Sequence, residues 1–158
     1  MRPHGPPLGL LLATTSKTVG RAFNRALAES GGSVPIWLIL NALKSDRRRT
    51  QVDLARAVGV EGPTLTRHLD GMEQGGLVRR KRDTLDRRAV EVELTRAGHA
   101  LHARLLKAVI AFNQNLRGGL SGEDEATLRA LLGQLQENVG DRSDTGTGPV
   151  RPAVAEDW

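Results

Sequence analysis

A mainly α fold with one small β-hairpin is predicted for this 158-residue chain by three observations. Apolar residues recur at helical spacing over six stretches, separated by glycines, capping residues or a charged run. The third and fourth stretches are short and meet at Gly59, as two helices joined by a tight turn would. Between the fourth and fifth, Val90-Glu91-Val92-Glu93-Leu94 alternates with the period of a half-buried strand and follows the basic run Arg79-Arg80-Lys81-Arg82. Two short helices followed at once by an arginine-tipped hairpin, with Asp86-Arg87-Arg88 at the tip, form the pattern of a winged helix-turn-helix. The hairpin is its wing, and the helices before and after the module are expected to serve dimerisation.

Residues 1–7 carry three prolines and are expected to be flexible. From Leu8 to about Ser30, a broad apolar face is drawn by Leu8, Leu11, Leu12, Val19, Ala22, Phe23, Ala26 and Leu27, and Gly31-Gly32 ends it. Pro35 falls in the first turn of a second helix, where its missing N–H costs little. That helix buries Ile36, Trp37, Ile39, Leu40 and Leu43. It fades at the charged run 45–49. Thr50 is the expected N-cap of a short helix, Gln51 to Val58, with Leu54, Ala55 and Val58 inward. Gly59 tolerates the left-handed backbone of the turn. A fourth helix runs from Gly62 or Pro63 to Gln74 over Leu65, Leu69 and Met72. Leu77-Val78 open the first strand, the loop is about 83–87, and Ala89 to Leu94 return. Thr95 caps a fifth helix carrying Ala97, Leu101, Leu105, Ala108, Val109, Phe112 and Leu116. Ser121 and Asp124 resemble a capping box, with Asp for the usual Glu, ahead of Leu128, Leu131, Leu132, Leu135 and Val139. From Gly140 the composition turns to that of a disordered tail. The chain divides into 1–7, the N-terminal helices 8–46, the winged module 47–95, the C-terminal helices 96–139 and the tail 140–158.

The net charge is +5 and the sequence pI about 10.6, which suits an anionic partner. The charge is uneven. Residues 47–88 hold eleven Lys/Arg and six Asp/Glu, a net +5; residues 119–158 hold three and eight, a net −5. There is no cysteine, which excludes disulfides, thiolate metal sites and thiol redox sensing. The apolar run Leu8 to Ala13 is far short of the roughly 20 residues of a membrane span. Lys17, Arg21 and Arg25 follow it in helical register, so it is read as the start of a helix, not a leader. A cytoplasmic protein with no membrane partner is expected. No Ser/His/Asp, paired-carboxylate or phosphate-loop pattern is visible, so neither an enzyme nor a cofactor is expected.

In a helix-turn-helix the second helix enters the major groove with its N-terminal residues at the base edges. With Leu65 and Leu69 inward, the outward set is Pro63, Thr64, Thr66, Arg67 and His68. Arg67 is the base reader, because its planar fork matches guanine O6 and N7. The threonines suit phosphates or bases, and Pro63 a thymine methyl. His68 meets DNA or rests on the helix shoulder. Thr50 and Gln51, opening the preceding helix, suit phosphate, with capping alone as the alternative. The run 79–82 lies on a strand, so alternate members face opposite sides; Arg80 and Arg82 are the candidate contacts. At the tip, Arg87 and Arg88 reach DNA, and the negative potential of a narrow minor groove draws an arginine. Asp86, an anion in a DNA-facing loop, can hold the Arg88 guanidinium extended; otherwise it is a turn residue. His99 and His102 have a spacing that can bind metal. Without a carboxylate or cysteine in the same segment they are read as surface histidines, and no metal is expected.

Taken in order, Gln51-x-x-Leu54-Ala55, Gly59-Val60-Glu61-x-Pro63-Thr64-Leu65-x-Arg67-x-Leu69-Asp70, Gly76-Leu77-Val78-x-Arg80, Asp86-Arg87-Arg88-Ala89 and Leu94-Thr95 form one series of motifs. In that series the chain resembles the MarR family of winged-helix regulators, over about residues 8–140 and closest to its SlyA-type branch. The resemblance implies a homodimer on palindromic operator DNA, expected to repress, with dimerisation through the first and the last two helices. By position it makes Arg67 the major-groove reader, Arg88 the minor-groove arginine and Asp86 its brace. It also implies a small aromatic or anionic effector that releases DNA. Phe23 and Trp37 are the aromatics placed to line such a cleft, and both are more simply core. The Trp, Arg and Asp set of urate-responsive relatives is not evident on the first helix. The organic-peroxide mechanism of others needs a cysteine that this chain lacks. The rival reading is a winged-helix protein-interaction module without specific DNA binding.

Overall fold

The amphipathic stretches fold as helices, and the alternating stretch folds as a strand. A computed structural model describes residues 5–45, 49–82 and 90–140. Its helices are α1 (Leu8–Glu29), α2 (Val34–Ser45), α3 (Gln51–Val58), α4 (Gly62–Gln74), α5 (Arg96–Leu116) and α6 (Gly122–Val139). Its strands are β1 (Arg49–Thr50), β2 (Val78–Arg82) and β3 (Val90–Leu94). The helix starts follow from capping. The Thr50 hydroxyl accepts the Asp53 N–H, the Thr95 hydroxyl accepts the Gly98 N–H, and Ser121 with Asp124 closes a full capping box. Gly59 ends α3 at φ +74°, a left-handed position that favours glycine.

The hairpin register places Val78 opposite Leu94, Arg80 opposite Val92 and Arg82 opposite Val90. These residues share the inner face, while Arg79 and Lys81 stand on the other with Glu91 and Glu93. The sheet holds one strand more than the hairpin. β1 pairs antiparallel with β3, Arg49 opposite Val92 and Thr50 opposite Glu91, giving the order β1-β3-β2. A two-residue strand has no period to read in sequence. It forms because the extended residue before the α3 cap lies against the otherwise open edge of β3.

One core joins all layers. Leu27, Trp37, Ile39, Leu40, Leu43, Leu54, Leu65, Leu69, Met72, Val78, Val92, Leu101, Leu105 and Val109 are each at most 3% exposed. α2 is its hub, packed against α1, α3, α4, α5 and β3. Burial stops early along α5, whose last buried residue is Val109, and α6 has no buried residue at all. A polar contact ties α6 to the end of α5, from Glu125 to Arg117 at 3.1 Å, while Arg129, one turn along α6, pairs with the same glutamate at 2.8 Å. Among the described residues no single helix is long and apolar enough to cross a membrane. Only α1 and α2 taken together pass on composition, and they meet at a 71° bend.

The winged module meets α5 at a contact only glycine allows. A Cβ on Gly98 would collide with the backbone carbonyl oxygen of Leu77, which also accepts bonds from the backbone N–H and hydroxyl of Thr95. Backbone cannot swing away as a side-chain tip can. Gly98→Ala is therefore expected to cost about 1–3 kcal/mol by overpacking, more than offsetting the alanine's better helix propensity. Thermal and urea unfolding of the variant would check this; unchanged stability would mean that the α5 start and the Leu77 turn are not packed this closely.

Candidate nucleic-acid interface

α4 presents a short outward surface because its inner face is full. Leu65 and Leu69 are fully buried and Met72 nearly so. This turns Pro63, Thr64 and Arg67 to solvent and leaves Thr66 and His68 half-buried. α4 opens without a side-chain cap and has no acidic residue in its first turn. The side chain of its N-cap residue Glu61 bonds none of its first N–H groups, which stay open, with the positive end of the helix dipole, to an acceptor from outside. Arg67 stands beside them, exposed, with no hydrogen bond or ion pair to any described residue. That combination suits a group that binds a base edge or a phosphate.

Three other expected contacts are already bonded to the fold. The Thr50 hydroxyl donates to Asp53 Oδ2 at 2.6 Å while accepting the Asp53 N–H at 3.1 Å, so capping occupies it. Gln51 Nε2 donates to Thr66 Oγ1 at 2.6 Å, and that hydroxyl donates in turn to the Gly62 carbonyl at 3.0 Å. This relay fixes the first turn of α4 against the first turn of α3. It leaves Gln51 its amide oxygen and a second N–H for an outside partner.

The basic strand divides as its register requires. On the outer face Lys81 pairs with Glu93 at 2.8 Å, and Arg79 lies opposite the same glutamate. That face carries two cations and two carboxylates, so it adds little net field. On the inner face Arg80 is engaged twice. Its Nε donates to Glu73 Oε2 at 2.9 Å and its Nη2 to Asp70 Oδ1 at 2.6 Å, while its backbone N–H donates to Glu73 Oε1 at 3.0 Å. The backbone N–H and the guanidinium of Arg80 hold the Glu73 carboxyl below its usual range, and Glu73 followed by Asp70 raises the guanidinium further. Arg82 is exposed on β2, opposite Val90, and its side chain bonds no described residue. Asp86, Arg87 and Arg88 lie outside the described residues.

The surface reading of the α5 histidines holds for His99 and fails for His102. His102 is 6% exposed, stacked on Trp37 with ring centroids 5.3 Å apart and planes 17° from parallel. Its Nε2 lies 3.1 Å from Asn41 Oδ1. The sequence held the signal: residues 98, 102, 105 and 109 fall on one stripe of α5, the stripe that packs on α2. Its partner Asn41 sits one turn beyond Trp37 on α2. Phe23 of α1 likewise meets Phe112 of α5, with centroids 5.0 Å apart.

Burial, followed by the charge of Lys44 and by His99, pushes the His102 pKa below the ordinary histidine value of about 6.5. The folded chain then binds fewer protons than the unfolded one as pH drops past that value. Stability is full above it and is lost as pH falls through it toward the depressed folded pKa. The wild type should lose more thermal stability between pH 7.5 and 5.5 than His102→Gln does. Parallel pH dependence in the two proteins would exclude His102 as the source.

Comparison with known proteins agrees with this geometry. Residues 33–90 match the MarR family, a span from α2 to the start of β3 that contains both helices of the helix-turn-helix. Among solved structures, a cysteine-to-serine mutant of MarR from E. coli complexed with operator DNA superposes with a TM-score of 0.73 at 28% identity, covering 82% of this chain and 93% of that one. The PcaV transcriptional regulator from Streptomyces coelicolor has a TM-score of 0.76 at 23% identity, over 84% and 97%. An organohalide-sensing transcriptional regulator in its 2,4-dichlorophenol-bound form shares the fold at a TM-score of 0.73 and 19% identity, over 86% and 87%. Residues 33–90 thus form a MarR family domain, set within a chain that has the winged-helix fold of the MarR-type regulators.

Proposed function

We propose that the chain is a homodimeric, sequence-specific double-stranded DNA-binding transcription regulator that represses by occupying a palindromic operator. The observation that carries this reading is the outward surface of α4. It is short, lacks acidic residues in its first turn, and displays one arginine that bonds no described residue. Arg67 reads a base, Pro63, Thr64 and His68 line the groove, Gln51 and Arg82 meet the backbone beside it, and Thr66 holds Gln51 in place for that contact. Thr50 supports these contacts as the α3 cap. In the hairpin loop, Arg88 enters the minor groove, braced by Asp86, with Arg87 on a phosphate.

A second copy completes the structure. α6 buries no residue of its own, and Leu128, Leu131 and Leu132 on it are exposed, as are Leu8 and Leu11 on α1 and Ile110 and Leu116 on α5. Apolar faces of this length call for a partner, and a copy related by a twofold axis covers them symmetrically. The two α4 helices then enter successive major grooves, about 10 base pairs apart. The sequence of motifs favours the SlyA-type branch and a cytoplasmic regulator that a small aromatic or anionic effector releases from DNA.

A gel-shift series tests the reading, using the DNA upstream of the chain's own gene against a random duplex of equal length. Selective binding that weakens steeply as salt rises is expected, since each neutralised phosphate releases counterions. Equal binding to both duplexes, or none, would overturn it and leave the protein-interaction module.

A further inference from the structure

We propose that Arg80 is a positioning residue that clamps the wing strand to the recognition helix, and that sequence selectivity depends on this clamp, not on contact between Arg80 and DNA. The inference rests on the DNA-binding reading. Asp70 and Glu73 stand one turn apart on the C-terminal half of α4, and Arg80 comes from the middle of β2. One guanidinium spans both carboxylates, with Nη2 2.6 Å from Asp70 and 2.7 Å from Glu73. The other Glu73 oxygen takes the Arg80 backbone N–H, so the strand is held by main chain as well as side chain. The Arg80 side chain is 24% exposed, against full exposure for a cation that tracks a phosphate backbone.

Charge balance argues the same way. Two carboxylates about one guanidinium leave the cluster at net −1, inside the module that has to approach a polyanion. As plain electrostatics it opposes DNA binding. What it supplies is geometry. β2 leaves α4 through a tight turn at Gly75-Gly76, and its described residues run from Val78 to Arg82 with Arg80 at the centre. Fixing Arg80 on the side of α4 sets the direction of the wing relative to the helix that carries Arg67. A lysine would keep the charge but has no planar fork, so it cannot hold both carboxylates at these angles.

The test compares Arg80→Lys, Arg80→Gln and Glu73→Gln with the wild-type chain, each full length. The probes are an inverted-repeat duplex selected by the wild type from a random pool and an unselected duplex of equal length. Far-UV spectra and melting curves confirm folding, and Glu73→Gln keeps an acceptor for the Arg80 N–H should the Arg80 variants melt early. The expected result is that all three lose about tenfold or more in preference for the selected duplex, Glu73→Gln included although it removes a negative charge. The slope of affinity against salt should stay unchanged, since no phosphate contact is lost. Arg80→Lys binding like wild type, with Arg80→Gln lowering the slope by about one and Glu73→Gln tightening both duplexes, would make Arg80 a phosphate contact and overturn the clamp. Preference retained in every variant would overturn it as well. A wild type that cannot discriminate the duplexes at all would remove the DNA-binding reading, and the clamp with it.

Discussion

Leu131→Asp should convert the proposed dimer to monomers and lower affinity for the selected duplex by about 100-fold or more. Leu131 lies mid-helix in α6 and is 58% exposed in the single chain, on a helix with no buried residue. The substitution therefore removes nothing from the core of one protomer, and its helical content should be unchanged. In the dimer the same position would be covered twice, once on each side of the twofold axis. Replacing a buried leucine costs about 1.5–3 kcal/mol in lost apolar burial per copy, and a buried unpaired carboxylate adds to that. The consequence for DNA is larger than any single contact. A tethered second recognition helix binds at an effective concentration far above that of free protein, and typical gains are about 10² to 10⁴. Sedimentation would give the mass, and a gel shift the affinity. A variant that stays dimeric would place the interface elsewhere, and a monomeric wild type would end the twofold reading.

The structure separates what local pattern records from what it does not. α3 and α4 appear with the bounds expected from Thr50, Gly59, Pro63 and Gly75-Gly76, because caps and breakers act within one turn. β3 appears at Val90–Leu94 because its alternation is complete within five residues. β1 was not legible. Two residues cannot show a period, and their extended form comes from pairing with β3 some forty positions away. The site divides in the same way. The outward set of α4 follows from helical spacing, with Pro63, Thr64 and Arg67 exposed and Thr66 and His68 half-buried, but spacing does not say which polar groups the fold has already used. Gln51 meets Thr66 across 15 positions, Arg80 meets Asp70 and Glu73 across 10 and 7, and His102 meets Asn41 across 61. Each pairing engages, in part or in full, a side chain that looks free in the sequence. A basic residue on a strand and a histidine on a helix look alike in sequence whether they face solvent or a carboxylate, a ring or an amide.

Arg67→Ala should abolish most discrimination while leaving general DNA affinity nearly intact. Arg67 is exposed, unbonded to the described residues and one turn from the start of α4, so its removal disturbs no internal contact. A bidentate arginine–guanine pair is worth about 1–3 kcal/mol of discrimination, and both copies of the proposed dimer would read a symmetric operator, for a total of about 2–6 kcal/mol. That corresponds to at least about 30-fold in preference for the selected duplex. The salt slope should hardly move, because base contacts release no condensed counterions, whereas loss of a phosphate contact, such as the one proposed for Arg82, should lower it by about 0.9 per site. Selection from a random pool gives the sharper readout. The variant should recover sites that match the wild-type preference except at one base pair in each half, where the guanine requirement is gone. Uniform weakening on every sequence would instead assign Arg67 to a phosphate, and the base contacts would then fall to Thr64, Pro63 and His68. Those three offer one hydroxyl, one apolar ring and one imidazole. None of them presents the paired donors that guanine's O6 and N7 accept, so the operator preference itself would have to shift away from guanine at the position facing the start of α4.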